Sequence, residues 1–235
     1  MEMSKILEML NDLSTACLAD ACLRLDISVR FAPCTIRPLM PGTKIYGPVR
    51  PARHFGGIDV FLEALENASA GEVLVIDNEG RLDEACIGDL ISLEVKLAGL
   101  NGIVIWGLHR DTAELREIAL PIFSLGSVPA RPRRVSPADS DSLTRARIGE
   151  WDVGTNDFVI GDDDGVLFLP IERLEEITAS ACTIRDSERT QSREMFKGLS
   201  LRTRMQFSKF LSDRAQNPKL TFQQHASSIA AQGKR

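Results

Sequence analysis

Two short stretches of this chain place chemically complementary residues where a strand turns into a helix. The first is Gly88-Asp89-Leu90-Ile91. Glycine permits a sharp approach, and the opening amides of the helix, those of Leu90 and Ile91, have no partner within it. Free amides at a helix start hold carboxylates or phosphates well. Asp89 beside them either caps the helix and suits its dipole, or handles a proton and orients a metal-bound water. The second stretch is Trp106-Gly107-Leu108-His109-Arg110-Asp111-Thr112-Ala113-Glu114. Arg110 offers a planar fork for a carboxylate, and Asp111 offers hard oxygen to Mg2+ or Mn2+. Plainer roles stay open here too. Asp111 with Glu114 three residues on fits a capping arrangement, and Arg110 fits a surface ion pair. Both stretches belong to consecutive strand-helix units. An anion cradle and a metal carboxylate can therefore face each other at the carboxyl end of a sheet, where α/β folds bind ligands.

The remaining chemistry-bearing residues read plainly. His109 adjoins the second stretch, but its side chain is expected to point away, and His54 and His225 have no acidic partners at metal spacing. Asp162-Asp163-Asp164 run into Gly165, so a solvated hairpin turn at Asp164-Gly165 is expected rather than a metal cluster. Cys86 stands in no recognisable relation to a histidine and reads as a small buried hydrophobe. Arg131, Arg133 and Arg134 read as a solvated strand edge. Five cysteines, at 17, 22, 34, 86 and 182, lack CxxC spacing. That usage suits reduced thiols in a cytoplasm, not disulfides or zinc.

The elements that must position these residues follow from periodicity. Residues 4–26 carry apolar positions at helical spacing, with a break near Ser14-Thr15, where a hydroxyl can cap a second helix. A strand is expected at 43–50 and a helix at 58–68. GEVLVIDN (71–78), GIVIWG (102–107) and LPIFSLG (120–126) read as buried strands, alternating with helices at 89–98 and 112–118. Continuous apolar strands between helices argue for an α/β domain with a covered, partly parallel sheet. Residues 150–170 read as two strands joined by the Asp-Gly turn. From Pro170 to about 214 the chain is helical and charged, with Gly198 as a break, and the last twenty residues form a polar tail, frayed or swapped onto a neighbour. The 235 residues are 43% hydrophobic and 26% charged with a net charge of −5, which offers no global field for nucleic acid or an anionic membrane. The N-terminus is no signal peptide, and no apolar run reaches membrane-spanning length. No glycine-rich nucleotide loop supports a methyl-donor site.

The run GDLISLEVKLAGLNGIVIWGLHRDTAEL (88–115) with LPIFSLGSVPARP (120–132) resembles the RraA-like family of 4-hydroxy-4-methyl-2-oxoglutarate aldolases and oxaloacetate decarboxylases. Ser14–Ala21 looks like the family's opening helix, and Asp162–Val166 with Leu169-Pro170 like its late hairpin; the likeness covers most of 14–200. The resemblance implies a compact αββα-type α/β sandwich with helical N- and C-terminal extensions, divided as a catalytic domain over 1–200 and an arm over 201–235. It implies a cytoplasmic, divalent-metal-dependent aldolase that cleaves a 4-hydroxy-2-oxo acid to pyruvate and a second oxo acid. Oxaloacetate decarboxylation would pass through the same metal-bound enolate. By the same resemblance Asp111 coordinates Mg2+ or Mn2+, Arg110 contacts the pyruvyl part, Gly88 with the amides of Leu90 and Ile91 holds its carboxylate, and Asp89 positions a water for proton transfer. No organic cofactor, nucleic acid or membrane is implied. An acid from a neighbouring subunit, best matched by Glu188 and less well by Asp186 or Glu194, approaches the site in a trimer or hexamer. Many family aldolases carry an acid or amide where this chain has Trp106, so an aromatic is expected to narrow the pocket. The alternative is a non-catalytic regulator of the same family that binds and inhibits a ribonuclease.

Overall fold

In the computed structural model of the chain, which describes residues 3–137 and 139–232, local signals set the helix starts. Helices α1 (Met3–Asn11) and α2 (Thr15–Arg24) break where the hydroxyls stand, and Ser14 caps α2 by accepting the Cys17 amide at 3.2 Å. Short strands β1 (Arg30–Phe31) and β2 (Arg37–Pro38) precede β3 (Ile45–Arg53) and α3 (Asp59–Glu66). The expected alternation follows: β4 (Val73–Asp77), β5 (Ala85–Ile87), α4 (Asp89–Leu97), β6 (Gly102–Trp106), β7 (Leu108–His109), α5 (Thr112–Ile118) and β8 (Ile122–Ser124). Two antiparallel hairpins come next, β9 (Arg145–Ile148) with β10 (Trp151–Gly154), and β11 (Asp157–Asp162) with β12 (Gly165–Pro170).

Eight strands form one mixed sheet in the order β1-β12-β11-β3-β4-β6-β8-β2. Its middle, β3-β4-β6-β8, is parallel, and the flanking pairs are antiparallel. Successive side chains of a strand point to opposite faces, and each face here has its own core. Leu74, Ile76, Ile103 and Ile105 pack with Phe61, Ile91 and Leu115 of the helices α3, α4 and α5. Phe158, Ile160, Leu167 and Leu169 pack with α1, α2 and the start of α6 (Leu174–Phe196). The alternate residues Val73, Val75, Val104, Val159 and Phe168 meet one another inside the curl of the sheet. Gly161 of β11 lies so near Phe123 of β8 that an added Cβ would stand 3.1 Å from its ring. Two helical layers thus sandwich a sheet folded on itself, the expected αββα arrangement.

Three local expectations change. The late turn falls on Asp163-Asp164, with Gly165 already paired to Asp162, because the carboxylates are occupied as acceptors. Asp162 accepts the Thr15 amide and hydroxyl at 2.8 and 2.7 Å, and Asp163 accepts the Gly42 amide at 2.8 Å. The β9–β10 hairpin carries no strong strand signal in the sequence, because its outward residues are polar and its buried ones few. The polar tail contains a helix, α9 (Phe222–Gln232), after α7 (Leu201–Arg204) and α8 (Phe207–Gln216), while its last three residues lie outside the described residues.

The chain forms two compact units that divide within α6, one running to Ile184 and one from Arg185. Ile184 is the last residue of α6 in a core, and beyond it RDSERTQSREM (185–195) carries little apolar surface. The second unit has its own small aromatic nucleus. Phe210 meets Phe222 and His225 at ring-centroid distances of 5.2 and 5.3 Å, and His225 Nε2 bonds the Met205 carbonyl at 2.9 Å. Among the described residues no helix is long and apolar enough to cross a membrane.

Candidate active site

A strand pair too short to show in any periodicity builds the site. β5 and β7 run parallel, pairing Ala85 with Leu108 and Ile87 with His109, and the Arg110 amide donates to the Ile87 carbonyl at 3.0 Å. The residues leaving both strands are therefore neighbours, and these are Gly88-Asp89 and Arg110-Asp111. The Asp89 amide donates to Asp111 Oδ2 at 3.3 Å, and Arg110 Nε lies 3.4 Å from that same oxygen. A Cβ at Gly88 would stand 2.1 Å from Asp111 Oδ2, so only glycine admits this approach.

The capping alternatives separate at this point. Asp111 occupies the N-cap of α5 at φ 58°, ψ 42°, yet its side chain caps nothing. A non-glycine residue in the left-handed region is strained and persists where its surroundings impose it. Its carboxylate instead turns toward α4 and remains 32% exposed. Asp89, by contrast, does engage its own helix, Oδ1 accepting the Leu90 amide at 2.8 Å. Of the two amides expected to be free, Leu90's is thus occupied until the Asp89 carboxylate rotates. Among the described residues, the Ile91 amide faces no acceptor.

A cleft of about 910 Å³ opens over α4, lined by Gly88, Asp89, Leu90, Ile91 and Arg110. A smaller hollow of about 330 Å³ lies on the other side of Arg110, lined by Asp111, Thr112 and Ser127–Pro129. Arg110 reaches both, placing its guanidinium where a ligand spanning the Gly88 and Asp111 turns would pass. The structure thus brings Gly88, Asp89, Leu90, Ile91, Arg110 and Asp111 together. Glu188 stands on α6 in the second unit, beside Met195, Phe196 and Leu201; Asp186 and Glu194 share that helix.

Several residues face differently from expectation. Trp106 does not narrow the cleft. By strand alternation it shares the face of Val104, packs against the interior of the curl, and covers Gly80, where an added Cβ would stand 2.6 Å from its ring. Arg131 and Arg133 are exposed, as a solvated edge requires, and they also border the cleft, as does the buried His54. Arg134 is turned the other way, donating to the buried Glu84 carboxylate and to Asn78 Oδ1, both at 3.0 Å. No local pattern reveals this. The side-chain directions are set by a long-range bond, from the Ala85 amide to the Ala130 carbonyl at 2.8 Å.

His54 and His109 are buried and held by side-chain partners. Asn78 Oδ1 already accepts from Arg134 and lies 2.8 Å from His54 Nδ1, so that nitrogen carries the proton. Burial lowers the His54 pKa from its ordinary value. His109 turns inward to Ser124 Oγ at 2.8 Å, as expected away from the site, and burial lowers its pKa as well. Cys86 lines the cleft, but burial pushes its thiol up to about 12, which removes it as a nucleophile.

A divalent cation fits only one way. Among the described residues no group of three or more His, Cys, Asp or Glu converges. Asp111 is a single, partly exposed carboxylate that makes no cap bond to its own helix, and a hard cation such as Mg2+ accepts one carboxylate while waters and substrate oxygens complete its shell.

Comparison with known proteins places the chain in a family. Residues 15–168 match the family model described as RraA-like: Aldolase/RraA. A Thermus thermophilus protein named 4-hydroxy-4-methyl-2-oxoglutarate aldolase is 31% identical over 124 residues, covering 53% of this chain and 74% of the relative. A Halalkalibacterium halodurans protein provisionally named for the same activity is 29% identical over 168 residues, 71% of this chain and 77% of the relative. The solved structure of Streptomyces coelicolor RraAS2, described as an unusual member of the RNase ES inhibitor RraA protein family, superposes with a TM-score of 0.71. It is 27% identical, over 81% of this chain and 97% of that one.

Proposed function

Because the chain belongs to the RraA-like family, we propose that it is a carbon–carbon lyase that cleaves a 4-hydroxy-2-oxo acid to pyruvate and a second oxo compound, and decarboxylates oxaloacetate at the same site. The observation that carries this reading is Asp111. Its strained backbone and its failure to cap its own helix turn a partly exposed carboxylate toward the Gly88 turn, beside Arg110, where its one backbone bond is a 3.3 Å contact from the Asp89 amide. A named aldolase among the relatives points the same way.

Arg110 faces the 2-oxo acid carboxylate with its planar fork, and the Ile91 amide at the start of α4 supplies a second donor. Asp89, at the cleft edge, takes the proton of the C4 hydroxyl, directly or through a water it orients. The O–H electrons form the new carbonyl, the C3–C4 bond breaks, and its electron pair moves onto the 2-oxo group as the enolate of pyruvate. Arg110 opposes the negative charge that develops there. Protonation of the enolate at C3 releases pyruvate. Asp111 would hold a divalent cation, which supplies Lewis-acid polarisation of the 2-oxo group. Oxaloacetate loses carbon dioxide to the same enolate, so one set of residues serves both reactions.

The test is pyruvate release from a panel of 4-hydroxy-2-oxo acids and from oxaloacetate, with EDTA and with added Mg2+ or Mn2+. Release that stops with EDTA and returns with either ion is expected. Full activity in metal-stripped protein would remove the cation, and no release from any substrate would remove the lyase. The second reading, a regulator that binds a ribonuclease, is favoured by the likeness to Streptomyces coelicolor RraAS2. It leaves the Asp111 geometry without a purpose.

A further inference from the structure

We propose that His54 is a specificity-determining residue whose free ring nitrogen accepts a hydrogen bond from a hydroxyl on the half of the substrate that leaves as the second oxo compound. The preferred substrate is then a 4-hydroxy-2-oxo acid with a further hydroxyl at C5, not one that ends there in a methyl or a carboxylate. This substrate class rests on the lyase reading and narrows it.

His54 is 2% exposed, yet it belongs to the wall of the cleft. Its other sides are committed. Its amide donates to the Asp77 carbonyl at 2.9 Å, and its own carbonyl accepts from Arg134 at 3.3 Å. Its ring stacks on Phe61 of α3, with centroids 5.1 Å apart and planes 14° from parallel. A run of polar contacts then fixes its protons. Arg134 is held at 3.0 Å by Glu84, whose side chain is 4% exposed, and donates to Asn78 Oδ1 at 3.0 Å. That oxygen also accepts the Nδ1 proton of His54 at 2.8 Å. In a neutral imidazole with Nδ1 protonated, Nε2 carries the lone pair. Burial lowers the pKa of the ring, which keeps it neutral at neutral pH; the charged groups around it are Arg134 and Glu84, paired with each other, and Asp59. Among the described residues Nε2 has no partner. It differs in this from His109 Nε2, which is sealed from solvent; the free nitrogen of His54 opens to the cleft.

The register of the sheet says which part of a substrate it meets. Arg53, Asp77 and Trp106 lie side by side across β3, β4 and β6, and His54 directly follows Arg53. Two strand spacings, roughly 10 Å, therefore separate the end of β3 from the strand that leads to Arg110. On the lyase reading Arg110 and the Ile91 amide face the 2-oxo acid, so Nε2 meets the far end. An extended five-carbon chain with a hydrogen bond at each end also spans roughly 10 Å. Chemistry then discriminates at that end. A hydroxyl donates to the lone pair, a methyl leaves it desolvated and unpaired, and a carboxylate opposes it with lone pairs of its own.

The test is steady-state pyruvate release by the full chain, with Mg2+ or Mn2+ present, from three substrates that differ only at C5. 4,5-Dihydroxy-2-oxopentanoate carries CH2OH there, 4-hydroxy-2-oxopentanoate a methyl, and 4-hydroxy-2-oxoglutarate a carboxylate. The native protein should favour the first over both others by about tenfold or more in kcat/KM. His54→Phe keeps a ring against Phe61 and removes both nitrogens. It should bring the hydroxyl and methyl substrates within about twofold of each other, by loss on the hydroxyl substrate. A merely structural role would lower all three alike. That result would overturn the inference, as would a preference that survives in the variant. The native comparison supports or overturns it by itself if the variant does not fold. Release without a preference for the hydroxyl removes the role of His54 and keeps the lyase. No release from any of the three removes the lyase and this substrate class with it.

Discussion

Gly88 contributes by what it lacks. Its backbone is extended, so no left-handed conformation demands glycine; the demand comes from Asp111 Oδ2, 2.1 Å from where a Cβ would sit. A carboxylate at the end of a side chain can swing aside, so Gly88→Ala should displace Asp111 while sparing the fold. Pyruvate release is expected to fall by about a hundredfold or more, roughly 2.7 kcal/mol of transition-state stabilisation, with the melting temperature nearly unchanged. A variant that kept its activity would show that the Asp111 position is unimportant. The histidines give a second prediction at this scale. His54 and His109 both have folded-state pKa values lowered by burial from the ordinary 6.5. Below pH 6.5 the unfolded chain therefore binds protons that the folded chain refuses, and stability present above that pH is lost as pH falls toward the folded values. Melting curves should show this loss, and His54→Gln should flatten it. An unchanged pH slope in that variant would assign the loss elsewhere.

Helix starts and short strand pairs do the positioning one level up. The start of α2 is tied to the late hairpin by Asp162, which takes both the amide and the hydroxyl of Thr15. Asp162→Ala removes both bonds and leaves the buried Thr15 hydroxyl without its acceptor. It should cost about 1–3 kcal/mol, read as a lower midpoint in urea with the denaturant slope unchanged. Catalytic constants should not move, since Asp162 belongs to a turn that lines neither the cleft nor the smaller hollow. A drop in turnover at constant stability would mean the hairpin touches the site. The β5–β7 pair is the element that matters most for chemistry and the least visible in sequence. Strands of three and two residues carry no alternation to read. Their pairing appears only because Arg110 follows directly and bonds Ile87.

For the whole molecule, the second half of α6 raises the question of assembly. Its buried residues end at Ile184, and Met195 and Phe196 are exposed beyond it. We expect a trimer or hexamer in which Glu188 of one subunit approaches Asp111 of the next. A Glu188→Gln subunit and an Asp111→Ala subunit should each be nearly inactive alone. After mild dissociation and mixing, some interfaces pair an intact Asp111 with an intact Glu188, and part of the activity should return. Mixed oligomers that form and stay inactive would remove Glu188 from the site, and a monomer by light scattering would remove the shared interface.

The sequence by itself determined the periodic elements and the local tools. The apolar runs at 73–77 and 102–106 are strands because every residue but the last of the second is buried. The helix at 112–118 lies where its pattern put it. Arg110-Asp111 and Gly88-Asp89 were legible because adjacent residues of complementary chemistry at a turn need no tertiary information to be noticed. The tertiary structure decided which way side chains face and which surfaces become one cavity. It turned Trp106 inward by strand alternation and freed Asp111 from capping by a left-handed backbone. It also brought His54, Arg131 and Arg133 to the same cleft as Asp89 and Arg110. Those outcomes depend on hydrogen bonds such as Ala85 to Ala130 and Ser136 to Phe55, between segments far apart in the chain. Period and propensity encode what a residue does within its own element, whereas the walls of a cleft are set by contacts between elements.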